Sequence, residues 1–305
     1  MLLIGNQIRL SRPPLASAAS QRFELLFKSL ARRQVEAGAN WLLVDLGPQR
    51  KDAAEDLEWL VKTVHDEVTI TLALRGDDPA ALEAGVRAAR DMVLVDATLP
   101  GVEDLQPYLD LAARHGTSIA LPACPQGLPL PTDERIERVI TDLVPRALEA
   151  GLSIDRVYVD PLVTALTCDQ PMVPATVETI RLLKVGAEPA PNIIAHLDDV
   201  SDGAADAARP YIGQAYVTML LAAGVDGVAV NCLDPGLADA MRVILQRDPA
   251  NAYDRLLLRL YDVTKAEVEM DPSFVDMSDP EQVKLWKTVR VLNNQLLYAD
   301  SYLFA

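Results

Sequence analysis

Short, uninterrupted apolar runs recur along the chain and alternate with longer amphipathic stretches. Eight runs read as strands: Leu2–Gly5, Trp41–Leu46, Val68–Leu74, Met92–Val95, Ser118–Leu121, Arg156–Asp160, Asn192–His196 and Val225–Val230. Continuous rather than alternating apolar character predicts strands covered on both faces, as in a parallel sheet. Between them the apolar positions fall at helical spacing. From Gln21 to Ala37 these are Phe23, Leu26, Phe27, Leu30 and Val35; over Ala53–Val64 they are Leu57, Leu60, Val61 and Val64. Further helices are predicted over Pro79–Ala88, Val102–Arg114, Glu134–Ala150, Val177–Lys184, Pro210–Ala223 and Gly236–Leu245. Gly38, Gly116, Gly151 and Gly224 each follow a last helical turn, where glycine adopts the left-handed cap conformation cheaply.

Eight strand–helix units within residues 1–247 predict a (β/α)8 TIM barrel, for which roughly 250 residues is typical. A doubly wound sheet is the alternative. Residues 248–305 read as a helical C-terminal extension without strands. It holds one helix over Ala252–Val268 and a second opened by the capping box Ser278-Asp279-Pro280-Glu281, with Leu285, Val289, Leu292 and Leu296 on one face. Such an extension is expected to pack on the barrel or on the partner of a homodimer.

Charge then narrows the partners. Forty-four acidic side chains against 28 basic ones leave a net charge of −16, the wrong sign for nucleic acid or an anionic membrane. The segment MLLIGNQIRLSRPP lacks the apolar core of a signal peptide, and Asp226 interrupts the best candidate span, Tyr216 to Val230. A cytoplasmic protein is expected. Cys124, Cys168 and Cys232 are too widely spaced for a disulfide scaffold or a metal knuckle.

Barrel active sites lie at the C-terminal ends of the strands. Those ends carry Asn6, Asp45, Arg75 with Asp77 and Asp78, Asp96, Cys124, Asp160, His196 with Asp198 and Asp199, and Asn231 with Cys232. Read singly, each aspartate is a helix cap. Read together, Asp45, Asp96, Asp160 and Asp199 on one rim point to a ligand site. No lysine stands there for Schiff-base chemistry, and His196 alone does not make a metal centre, so no metal is expected. Neither Cys124 nor Cys232 has an identifiable base. Inward carboxylates and amides suit a heterocycle rich in N–H donors. A pterin is one, since its 2-amino group and N3–H donate together to a single carboxylate.

Several segments carry a more specific likeness: MLLIG, ARRQVEAGANWLLVDLGP, EWLVKTV, GLPLPTDERI, VYVDPLV, AEPAPNIIAHLDDVS and RPYIGQAYVTMLLAAGVDGVAV. In this order the chain resembles the methyltetrahydrofolate:corrinoid protein methyltransferases, whose pterin-binding barrel is related to dihydropteroate synthase. The resemblance implies that Asp160 anchors the pterin ring. It also implies tetrahydrofolate or a related pterin as methyl carrier, and a corrinoid on a separate protein, since no DxHxxG cobalamin signature is present. Other positions depart from the family pattern. Its GERxN opening reads Gly5-Asn6-Gln7-Ile8-Arg9, and its Asp-x-Asn on strand two reads Leu43-Val44-Asp45. Arg75 replaces the aspartate ending strand three, Asp96 the asparagine ending strand four, and Asp199 the mobile asparagine after strand seven.

A guanidinium accepts no hydrogen bond, so Arg75 is expected to pair with Asp45, Asp96 or Asp160, or to bind an anionic group. Asp199 is the candidate proton donor, provided neighbouring carboxylates raise its pKa. The functions in play are methyl transfer between a tetrahydropterin and a corrinoid protein, a non-catalytic pterin- or corrinoid-binding paralogue, and an unrelated barrel lyase or hydrolase.

Overall fold

In a computed structural model, which describes residues 1–99, 102 and 104–304, the strands are β1 (Leu2–Arg9), β2 (Trp41–Asp45), β3 (Thr71–Arg75), β4 (Val93–Asp96), β5 (Ser118–Pro122), β6 (Val157–Asp160), β7 (Asn192–His196) and β8 (Gly227–Val230). All neighbouring pairs are parallel and follow chain order. Pairing of β1 with β8 closes the barrel. The helices are α1 (Pro13–Ser20), α2 (Glu24–Glu36), α3 (Ala53–His65), α4 (Pro79–Ala88), α5 (Gln106–His115), α6 (Thr132–Arg138), α7 (Val144–Glu149), α8 (Met172–Gly186), α9 (Arg209–Ala223), α10 (Pro235–Gln246), α11 (Ala252–Lys265) and α12 (Pro280–Leu292). A wide turn over Val139–Leu143 joins α6 to α7. The expected (β/α)8 barrel is the fold.

Period-two alternation divides each strand between two environments. One side chain per strand forms an apolar layer inside the barrel: Ile4, Leu43, Ala73, Leu94, Ala120, Tyr158, Ile194 and Ala229. The alternate positions, such as Leu42, Val44, Leu72, Leu74, Val93 and Val95, face the helices. Leu256, Leu260, Leu285 and Val289 of α11 and α12 join that same outer core. Both of these helices lie on α9. The C-terminal segment also reaches the loops that follow β6 and β7. Gln170 donates to the carbonyls of Val291 and Leu296 at 2.8 and 2.7 Å, and the Tyr298 hydroxyl accepts from the Ala205 N–H.

Where the elements differ from expectation, the cause is local. α1, which opens on Pro13-Pro14, has no predicted counterpart. Proline is nevertheless well tolerated in a first helical turn, whose N–H groups lack intrahelical partners. α8 starts at Met172 rather than Val177. Within the predicted Val102–Arg114 helix, residue 103 lies outside the described residues, and α5 begins at Gln106. The cap of α12 is Asp279, which accepts from the Glu281 N–H, while Ser278 bonds to Asp276. The predicted caps Gly116 and Gly224 take φ of 64° and 98°.

β1 runs to Arg9 rather than Gly5 because a bulge between Gly5 and Ile8 carries the polar pair Asn6-Gln7. The buried Gln34 of α2 accepts the Gln7 N–H at 2.9 Å. A Cβ on Gly5 would stand 2.6 Å from the Gln34 carboxamide oxygen, so only glycine fits this approach. Among the described residues, no helix is long and apolar enough to cross a membrane.

Candidate active site

Two residues beyond each member of the apolar layer, on the same inward face, stand Asn6, Asp45, Arg75, Asp96, Pro122, Asp160, His196 and Asn231. The strands thus stack a polar layer on an apolar one at the C-terminal mouth. Of the residues singled out from sequence, Asn6, Asp45, Arg75, Asp96, Asp160 and His196 are all buried here.

Three carboxylates are held in one way. Oδ1 of Asp45 accepts from the Gly47 N–H at 2.8 Å, that of Asp96 from Thr98 at 3.0 Å, and that of Asp160 from Leu162 at 2.9 Å. These are Asx turns to the residue two positions on, not helix caps. The capping role expected for a single strand-end aspartate belongs instead to Asp78, which caps α4. Pinning Oδ1 leaves Oδ2 for the mouth. Asp45 Oδ2 lies 3.8 Å from Arg75 Nη1, and Asp96 Oδ2 lies 3.9 Å from Arg75 Nε and 3.5 Å from His196 Nε2. Asp160 Oδ2 is 3.8 Å from His196 Nε2.

None of these ionic contacts is as short as a hydrogen bond. Arg75 Nε, Asp96 Oδ2 and His196 Nδ1 are buried without a hydrogen-bond partner, a condition that native interiors rarely tolerate away from function. Arg75 does donate from Nη2 to the Thr98 carbonyl at 3.3 Å. It pairs with two of the three carboxylates named for it, Asp45 and Asp96.

Charge distributes unevenly among these groups. Burial pushes the Asp96 carboxyl up, but pairing with His196, the Arg75 charge and the Thr98 hydroxyl outweigh it and hold the group at about 2. Burial and the Arg75 charge push His196 down, yet Asp96 and Asp160 prevail and raise it above its ordinary value. Asp160 is raised: burial, helped by Asp96, exceeds the pull of His196, the Leu162 N–H and Arg75. Arg75 is raised, its burial outweighed by Asp96, Asp45, Asp199 and Asp160.

Asp199 stands apart from this layer. It lies half-buried in the turn Leu197–Ser201 after β7, and burial raises its pKa against the charges of His196, Arg75 and Arg9. Its neighbour Asp198 is structural: Oδ2 accepts from Asn6 Nδ2 at 2.8 Å, tying β7 to β1. Sequence reasoning named Asp198 only as a strand end and passed over Thr98. Thr98 donates its hydroxyl to Asp96 at 2.6 Å and stands 3.4 Å from His196 Nε2. Its position two residues beyond Asp96, on the same inward face, was the available signal. Cys124 and Cys232 are buried and donate to the carbonyls of Pro161 and Val230. Burial pushes both thiols up, Cys232 to about 12, which suits neither as a nucleophile.

No family model matches the chain. A methylcorrinoid:tetrahydrofolate methyltransferase of Eubacterium limosum is 26% identical over 269 residues, spanning 84% of this chain and 93% of that protein. Among solved structures, dihydropteroate synthase of Coxiella burnetii in complex with pteroic acid superposes with a TM-score of 0.61 at 13% identity, over 81% of this chain and 92% of that one. The dihydropteroate synthase of Thermus thermophilus gives 0.56 at 18% identity over the same shares. The resemblance carried by the strand-end motifs is therefore upheld along most of the chain, which is similar in sequence to a methylcorrinoid:tetrahydrofolate methyltransferase and shares the barrel fold of the dihydropteroate synthases.

Proposed function

We propose that this protein is an enzyme that binds a tetrahydropterin, tetrahydrofolate or a close relative, in the barrel mouth and moves a methyl group between its N5 and the cobalt of a separate corrinoid protein. The observation that carries the proposal is the state of Asp160. Its Oδ1 is pinned by the Leu162 N–H, its Oδ2 faces the mouth, and its one ionic neighbour within 4.0 Å among the described residues is His196. A carboxylate so fixed matches the paired N3–H and 2-amino donors of a pterin edge. Arg75 does not compete for it, being held by Asp45, Asp96 and the Thr98 carbonyl. The name of the Eubacterium limosum relative points the same way.

The roles follow from position. Asp160 orients the ring, and Asn6, Asp45, Asp96 and His196 surround it. The cobalt of the partner corrinoid supplies or accepts the methyl group. On the pterin side, an amine leaves poorly unless protonated. Asp199, with its raised pKa, gives a proton to N5 as the methyl departs and takes it back in the opposite direction.

Calorimetry with tetrahydrofolate, followed by transfer assays with methyltetrahydrofolate and reduced cobalamin, tests the proposal. Saturable binding and formation of methylcobalamin are expected; no binding up to millimolar ligand overturns it. Arg75 supports a second reading, since it partly neutralises two of the three carboxylates. In that reading the chain binds a pterin or a corrinoid protein without catalysis, and binding without transfer is its signature.

A further inference from the structure

The barrel mouth holds a buried base that the proposed transfer chemistry does not use. His196 ends β7, and the three oxygens that face its Nε2 are all acceptors. Asp96 Oδ2 stands 3.5 Å away, Asp160 Oδ2 3.8 Å and the Thr98 hydroxyl oxygen 3.4 Å. Thr98 gives its own hydrogen to Asp96, so toward the ring its oxygen can only accept. Nε2 therefore carries a proton. Whether Nδ1, buried without a partner, carries a second one decides the charge of the ring.

The surrounding groups favour the second proton. Arg75 stands beside Asp45 and Asp96, which leaves His196 as the one cationic group within 4.0 Å of Asp160 among the described residues. Asp199, in the turn after β7, is a third carboxyl that feels the ring. Burial and the Arg75 charge on β3 oppose that proton, but Asp96 on β4 and Asp160 on β6 prevail and raise His196 above its ordinary value. The effect is mutual. Burial raises Asp160, and His196 leads the groups that oppose the rise, ahead of the Leu162 N–H and Arg75. The protonation of Asp160 matters because Oδ1 is already taken by the Leu162 N–H, so a proton would sit on Oδ2, toward the mouth. That would set an O–H donor against the two N–H donors of a pterin edge.

We infer that His196 is a positioning residue: as an imidazolium lying between Asp96 and Asp160, it keeps Asp160 an ionised acceptor and so extends pterin binding to lower pH. The inference rests on the proposed pterin site and deepens it by naming the charge that holds its anchor ready. His196 acts through Asp160, not on the reacting atoms.

Calorimetry with tetrahydrofolate across the acid and neutral range tests this role in wild type and in H196Q, whose amide still offers an N–H to the carboxylates but carries no charge. In both proteins affinity should fall as pH drops through the value at which Asp160 takes up its proton. In H196Q that fall should come roughly one to three pH units higher, the displacement produced by removing an opposite charge about 4 Å away. Ionisation of the ligand itself is common to both proteins and cancels. A purely structural His196 would lower affinity alike at every pH; an unmoved midpoint overturns the inference and leaves the pterin site standing. Ring-nitrogen NMR of the ligand-free wild type needs no variant to fold, since the chain has three histidines. At pH 6.5, the ordinary midpoint, the His196 ring should be mostly doubly protonated. A mostly neutral ring overturns the inference as well. Failure of wild type to bind tetrahydrofolate at any pH removes the pterin site, and the positioning role with it.

Discussion

Leu94 and Asp96 sit two residues apart on β4, point the same way and are equally buried, yet they belong to layers built on opposite principles. The lower layer is apolar at every position, from Ile4 to Ala229, and each member gains by contact alone. The upper layer packs ionisable groups at 3.5 to 3.9 Å, with three buried polar atoms lacking partners. Buried charge that is incompletely paired costs stability, and proteins retain it where a ligand is to be met. The comparison teaches that one set of strands divides its labour by depth: the fold is secured below and recognition is left open above.

Exchanging the two kinds of loss is the most direct way to break that division. Leu94→Ala should cost about 2 to 5 kcal/mol of stability, read by urea unfolding, because it empties a fully buried site among close neighbours. The folded fraction should bind tetrahydrofolate as wild type does. Asp160→Asn should do the reverse. An amide oxygen still accepts from the Leu162 N–H, so unfolding should move little. Losing charge-assisted bonds to the pterin edge should weaken binding by roughly 100-fold, about 3 kcal/mol. Comparable binding losses in both variants would show the two layers to be one energetic unit.

The two layers were also unequally legible. The barrel could be read because outward positions such as Leu72, Leu74, Val93 and Val95 combine with inward Ala73 and Leu94 into unbroken apolar runs. The site residues stood where those runs end, and Asn6, Asp45, Arg75, Asp96, Asp160 and His196 do meet. Their bonding was not legible. An aspartate before a loop looks the same whether it caps a helix, as Asp78 does, or makes an Asx turn, as Asp96 does. Nor does local pattern reveal that Asp198 reaches Asn6, 192 residues away. The full length of β1 was hidden for a related reason. A bulge is one residue of backbone irregularity, and Asn6-Gln7 looked like the end of a strand rather than its middle.

Asp199 sharpens the comparison from the rim, where charge should serve chemistry rather than binding. Its raised pKa means that the protonated form persists above the ordinary carboxylate range and is lost as pH rises through the shifted value. Methyl transfer out of methyltetrahydrofolate to reduced cobalamin should therefore slow on the alkaline side of that value. Asp199→Asn, which cannot give up a proton, should lower the rate by roughly 100-fold and abolish that limb. Pterin affinity should change far less. An undiminished rate, followed by cobalamin absorbance, would remove Asp199 from the mechanism.

The smallest effect separates the layers by pH alone. Asp96 is held at about 2 in the folded protein against an ordinary 3.8, so between these values the unfolded chain binds more protons than the native one. The stability that Asp96 contributes is present above about 4 and lost as pH falls through 2, an amount of about 2 kcal/mol at 1.36 kcal/mol per pKa unit. His196 has the opposite sign. Raised above its ordinary 6.5, it stabilises fully below that value and loses its contribution as pH rises through the shifted one. Work below pH 5 therefore isolates Asp96 from His196. The deficit of Asp96→Asn relative to wild type should shrink from pH 5 to pH 3, because Asp96 takes up its proton in the unfolded chain over that range while the native carboxylate stays largely ionised. Leu94→Ala, which carries no ionisable group, should keep the same deficit at both values. Carboxylates remote from Asp96 are common to all three proteins and cancel in the differences, and the part of the Asp160 shift that Asp96 causes is counted with Asp96. Parallel deficits for both variants in urea titrations would mean that Asp96 acts through shape, as Leu94 does, and not through charge.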